Sequence, residues 1–207
     1  MIEFRVLPDD HPDLQHSPLL RGVVLTLNYA LEHGSIPLTK TKAFKRVFVH
    51  WAVEHFAWPD HDAEDMFRTT KRGAALAKLP GRLFAELIPY YVLRVDHSSY
   101  ARIDERPFGK WDVWLNVINL EADYGSTERK LFTVFYGEEA DWDNACWREM
   151  AAFSSYVLKP LEWAGLLVQQ REETADGKHV HHVFKTPIWR SALKLDLDDQ
   201  LRPMTQQ

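Results

Sequence analysis

The sequence predicts a mainly α-helical fold with small β-hairpins, set out as two units of similar element order in tandem. Three observations carry that expectation. Apolar residues recur at three and four in several segments, each closed by Gly or Pro. Asp176-Gly177 lies between two strand-like runs, a strong hairpin signal. Arg106, Pro107 and Gly109 mark a loop near the middle of the chain. The boundaries that follow are an extended arm over 1–16, a helical unit over 17–106, a second unit over 107–200 and a tail over 201–207.

The first sixteen residues hold Pro8 and Pro12 among polar and acidic positions. Ser17 and Pro18 then make a helix start, with Ser as N-cap and Pro in the first helical position. Leu20, Val23, Val24, Leu27, Ala30 and Leu31 form one apolar face, and Gly34 ends it. Thr39 caps a second helix whose stripe includes Phe44, Val47, Phe48 and Trp51. A short helix is expected from Ala63 to Phe67. Pro80 and Gly81 split the following segment into a short helix and a longer one.

Past the central loop, WDVWLNVINLEADYG and STERKLFTVFYG read as helices closed by Gly125 and Gly137. DWDNACWREMAAFSSYVLKPLEWAGLL reads as a long third helix, kinked by Pro160. The hairpin follows, and Pro187 opens a closing helix, IWRSALKL. Three helices, a hairpin and a tail helix is the order of a winged-helix domain. The first unit repeats the two opening helices. Between Phe56 and Thr70 it shows no clear third helix and full hairpin, so it is either a reduced winged helix or a plain helical module.

With 45% hydrophobic and 13% aromatic residues in a chain of 207, a packed core is expected and disorder is not. No apolar run reaches the roughly eighteen residues of a transmembrane helix, so no membrane partner is expected. The opening MIEFRVLPDD lacks the order of a signal peptide. One cysteine, Cys146, allows no internal disulfide, and a cytoplasmic protein is the default. Net charge is −5, which argues against a surface that coats nucleic acid everywhere. The charge is uneven, however. Residues 36–82 hold nine Lys or Arg against five Asp or Glu, and residues 101–150 hold six against eleven.

Four blocks carry a likeness. LTKTKAFKRVFVHWA, TKRGAALAKLPGRLFAEL, KPLEWAGLL and FKTPIWRSALKL resemble a family of uncharacterised bacterial proteins, often plasmid- or phage-associated. The likeness runs over most of residues 17–197. It implies tandem winged-helix-like units and brings no catalytic residue with it. Relatives carry a longer stretch between the equivalents of Met66 and Thr70, so the resemblance too implies a reduced first unit.

Lys40, Lys42, Lys45 and Arg46 stand at the start of a helix, where the dipole disfavours cations and favours an anion. With Arg68, Lys71 and Arg72 they would grip the phosphate backbone of duplex DNA. The plain alternative is a solvated face paired with Asp60, Asp62, Glu64 and Asp65. Arg171 and Lys178 on the hairpin are secondary contacts. These assignments describe a nucleic-acid-binding, transcription-regulating protein of a mobile element.

The second reading is an adaptor or inhibitor. In it Glu138, Glu139, Asp141 and Asp143 meet a basic protein or nucleoprotein complex. Trp111, Trp114, Trp142, Trp147 and Trp163 supply interface area, or else core; a second copy of the chain is another partner. Catalysis, metal and cofactor find no support. His179 and His181 share a strand face but lack a third ligand. His50 and His55 are five apart, one more than a zinc-protease helix needs. No phosphate-cradling glycine motif occurs, and Cys146 reads as a structural thiol.

Overall fold

A computed structural model describes residues 2–37, 57–59, 66–97, 107, 109–137, 147–177 and 179–196. The chain divides into two compact units, Val6–Ile88 and Met1–Arg5 with Pro89–Gln207. Both are mostly helical, with small antiparallel sheets.

The opening residues are extended only in part. β1 (Ile2–Phe4) is a strand of the C-terminal unit, and Pro12 starts a 3-10 helix, Pro12–His16, that buries Leu14. In the N-terminal unit α1 (Pro18–His33) begins as its sequence demands. Ser17 Oγ accepts the Leu20 N–H at 3.2 Å, and Gly34 closes the helix at φ 79°. Leu19, Leu20, Val23, Leu27 and Ala30 are its buried face. β2 (Ile36–Pro37), β3 (Ala57–Pro59) and β4 (Met66–Thr69) make an antiparallel sheet in the order β2-β4-β3. Met66 and Phe67 are therefore strand, not the helix expected of them. Both sides of β4 are paired, Ile36 with Phe67 and Pro59 with Phe67, so its backbone groups are taken up by the sheet. Pro37 and Pro59 lie on the two edge strands, where a missing N–H is tolerated.

Thr70 caps α2 (Lys71–Leu76), its Oγ1 accepting the Gly73 N–H at 3.0 Å. α3 (Pro80–Arg94) follows the expected break. Its Gly81 lies under the Val6–Asp10 segment: an added Cβ would fall 2.0 Å from the Leu7 carbonyl oxygen. The Gly81 N–H donates to Asp9 Oδ1 at 2.9 Å. The division between the units falls inside α3 at Pro89, which has no N–H to give.

The C-terminal unit runs α4 (Trp111–Glu121), β5 (Ser126–Thr127), α5 (Glu128–Tyr136), α6 (Trp147–Phe153), a π-helical segment Ser154–Leu158, and α7 (Lys159–Ala164). β6 (Leu167–Glu173), β7 (His179–Lys185), α8 (Pro187–Ala192) and β8 (Leu193–Leu195) complete it. The π segment answers Pro160. Proline cannot donate to the carbonyl four residues back, and one wider turn before it takes up the mismatch: the Lys159 N–H reaches Ser154 O instead. β6 and β7 form the expected hairpin, and β5 adds to β7 in the order β5-β7-β6. The closing helix is shorter than expected. Leu193–Leu195 pair with β1, Phe4 opposite Leu193 and Ile2 opposite Leu195. The core of this unit includes Leu115, Ile118, Phe132, Phe153, Leu158 and Leu161, all fully buried.

Candidate nucleic-acid interface

Five cations of the N-terminal unit fall between β4 and the first turn of α3. Arg68 stands on β4, Lys71 and Arg72 open α2, Lys78 lies in the next turn and Arg82 in the first turn of α3, and all five are exposed. Residues 66–88 contain these five cations against one acid, Glu86. Arg72 bonds the Glu86 carboxylate, and Arg82 Nε stands 3.5 Å from its other oxygen. Arg72, one of the sequence-predicted cations, is thus joined by Arg82 around a single carboxylate. Surface pairs of this kind contribute about 1 kcal/mol or less and are screened by salt.

Lys40, Lys42, Lys45 and Arg46 lie outside the described residues, as do Lys178 and the acidic set Glu138, Glu139, Asp141 and Asp143. So do Asp60, Asp62, Glu64, Asp65, His50, His55, Trp142 and Cys146.

Arg171 is exposed on β6, opposite His181. Its surroundings are not cationic. His182 Nε2 is 2.8 Å from Glu172 Oε2, His181 Nδ1 is 3.7 Å from Glu128 Oε2, and His179 stands opposite Glu173. Every hairpin histidine therefore has a carboxylate beside or opposite it. Among the described residues no cluster of three or more His, Cys, Asp or Glu is placed to hold a metal ion. The tryptophans divide. Trp114 is buried in the core, Trp147 is exposed, and Trp111 and Trp163 are half-buried.

His97 was not singled out by the sequence. It is wholly buried in the C-terminal unit, its Nε2 2.9 Å from Tyr91 O, with Tyr91, Trp111 and Tyr156 edge-on around the ring. Burial lowers its pKa to about 4, against the smaller raising effects of backbone hydrogen bonds and Asp96. A lone His between Asp96 and Ser98 gives no periodic signal; only the fold supplies the aromatic cage.

What the described residues define is a class: a protein of two helix-rich units, each with a three-stranded antiparallel sheet whose first strand pairs with the last strand of a hairpin. The comparisons with known proteins fall on the same two parts. Residues 15–74 match the y4jL N-terminal domain and residues 101–187 match the y4jL C-terminal domain. The chain is 29% identical to the uncharacterized protein y4jL of Sinorhizobium fredii (strain NBRC 101917 / NGR234), over 60% of this chain and 72% of that protein. No solved structure matches.

Proposed function

We propose that the chain is a tandem winged-helix protein that binds duplex nucleic acid by gripping its phosphate backbone through the N-terminal unit. The observation that carries this reading is the surface of Arg68, Lys71, Arg72, Lys78 and Arg82 with Glu86 as the single acid of residues 66–88. Phosphate contacts of this type hold and orient but do not read sequence. Lys40, Lys42, Lys45 and Arg46 belong to the same proposal on sequence grounds. The winged-helix reading is supported by one pairing shared by the described residues of both units: a two-residue strand just after a helix pairs with the second strand of a later hairpin. The neutralised hairpin of the C-terminal unit makes it a minor contact.

The test is fluorescence anisotropy with a mixed-sequence duplex across a salt series. Arg68→Glu, Lys71→Glu and Arg72→Glu together are expected to weaken binding about a hundredfold. The same triple variant is expected to flatten the salt dependence by about one power of salt concentration for each phosphate no longer neutralised. Arg171→Glu is expected to change affinity by less than about threefold. Undetectable binding at low salt, or equal weakening by the triple variant and by Arg171→Glu, would sink the proposal.

A further inference from the structure

We propose that the C-terminal unit carries a binding cleft for a small phosphomonoester, with Arg5 and Arg190 clamping the phosphate beside an apolar wall. The cleft holds about 390 Å³, within the range of ligand pockets. Its floor is rigid. The Lys185 side chain is only 5% exposed and donates to Asn119 O at 2.8 Å, Asn119 Oδ1 at 3.1 Å and Asp123 Oδ1 at 2.8 Å. Trp189 Nε1 donates to the same Asn119 Oδ1 at 2.9 Å. That network closes the C-terminal end of α4 and accounts for Lys185, Asn119 and Trp189 structurally.

It does not account for the arginines. Arg5 and Arg190 are both exposed and both line the cleft. Arg5 rises from a fixed backbone, since its N–H donates to Ala192 O at 2.7 Å. Arg190 stands 3.5 Å from Asp123 Oδ1, an oxygen already engaged by Lys185. Three cations line the cleft against one carboxylate, a balance of +2 from Arg5, Lys185, Arg190 and Asp123. A phosphomonoester carries about −1.5 to −2 at neutral pH, and guanidinium forks match its oxygens in pairs. Leu120, 49% exposed, and Leu193 give the cleft an apolar side that inorganic phosphate would leave unused.

The cleft lies at the end of β7 away from the hairpin turn, about 20 Å along the strand. It stands whether or not the chain binds nucleic acid. The experiment is calorimetric titration of the full chain with phenyl phosphate and, separately, inorganic phosphate. Phenyl phosphate is expected to bind, and Arg5→Ala with Arg190→Ala to weaken it at least about tenfold. Arg21→Ala, on α1 of the other unit, is expected to leave it unchanged. Unchanged melting of the double variant checks that the fold survives. Absence of binding, or binding that the double variant keeps, overturns the proposal. Inorganic phosphate binding as tightly as phenyl phosphate overturns the phosphomonoester assignment in favour of free phosphate.

Discussion

The two hairpins have the same strand order in separate sheets, but the charge that accompanies each differs in size, net +4 over residues 66–88 against net +1 over residues 167–192. In the N-terminal unit the sheet runs β2-β4-β3 and in the C-terminal unit β5-β7-β6, each with a two-residue strand added to the hairpin's second strand. Each hairpin ends in a threonine that begins a short helix, Thr70 before α2 and Thr186 before α8. From there they diverge. Residues 66–88 hold five cations and one acid, whereas residues 167–192 hold Arg171, Lys178, Lys185 and Arg190 against Glu172, Glu173 and Asp176. A repeated backbone order therefore does not make two equivalent binding faces. The order follows from strand pairing and burial; what each face attracts follows from side chains the backbone leaves open.

The sharpest way to strike one unit and spare the other is through glycine. Gly81→Ala sets a methyl 2.0 Å from the Leu7 carbonyl oxygen, and backbone on both sides leaves little room to yield. A loss of about 4 kcal/mol is expected, read by urea denaturation. Gly125→Ala is the counterpart in the other unit. There φ is +92° and the Cβ would lie 2.5 Å from Phe184 Cε1, the far part of a side chain that can turn. About 2 kcal/mol is expected, less than at Gly81 despite the positive φ. Amide exchange should localise each loss to its own unit. Equal costs at the two sites would show that backbone obstruction is not what distinguishes them.

Which of these features the sequence makes legible follows from how local each one is. Ser17-Pro18, Gly34 and Asp176-Gly177 are contiguous signals, and α1 and the β6–β7 hairpin follow them. β2 and β5 are two residues long, too short for any period, and exist because β4 and β7 offer pairing. β8 is concealed for a different reason. Leu193 and Leu195 extend the apolar pattern of IWRSALKL, and only β1, from the opposite end of the chain, makes them strand. Arg68, Lys71 and Arg72 are visible as a basic run, but Arg82 joins them only through Glu86. The cleft could not be read at all, because Arg5, Asn119 and Arg190 are brought together by three separate elements.

His97 gives the C-terminal unit an acid sensitivity that the N-terminal unit has no described counterpart for. The unfolded chain takes up a proton near the ordinary value of 6.5, while the folded protein holds the ring neutral down to about 4. Between those values the unfolded state binds more protons, so stability falls as pH drops from 6.5 towards 4. The loss is about 2 kcal/mol by pH 5 and about 3 kcal/mol once complete. His97→Gln is expected to flatten that dependence, with urea midpoints at neutral and mildly acid pH compared for both proteins. An unchanged slope in the variant would place the sensitivity elsewhere.

The smallest expected difference separates the two threonines by the direction of their hydrogen bonds. Thr70 Oγ1 accepts the Gly73 N–H and so caps α2. Thr186 Oγ1 instead donates to Gly165 O at 2.5 Å and Leu166 O at 3.1 Å, clasping the base of the hairpin. Each Thr→Ala change is expected to cost about 1 kcal/mol, so alanine alone does not tell the roles apart. Aspartate does. At position 70 a carboxylate accepts from the same N–H and is favoured at the helix start, so Thr70→Asp should recover most of the loss. At position 186 it has no proton to donate and meets two carbonyl oxygens, so Thr186→Asp should recover none. Matched thermal melts of the four variants would decide it, and recovery at both positions would mean that the two threonines share one capping role after all.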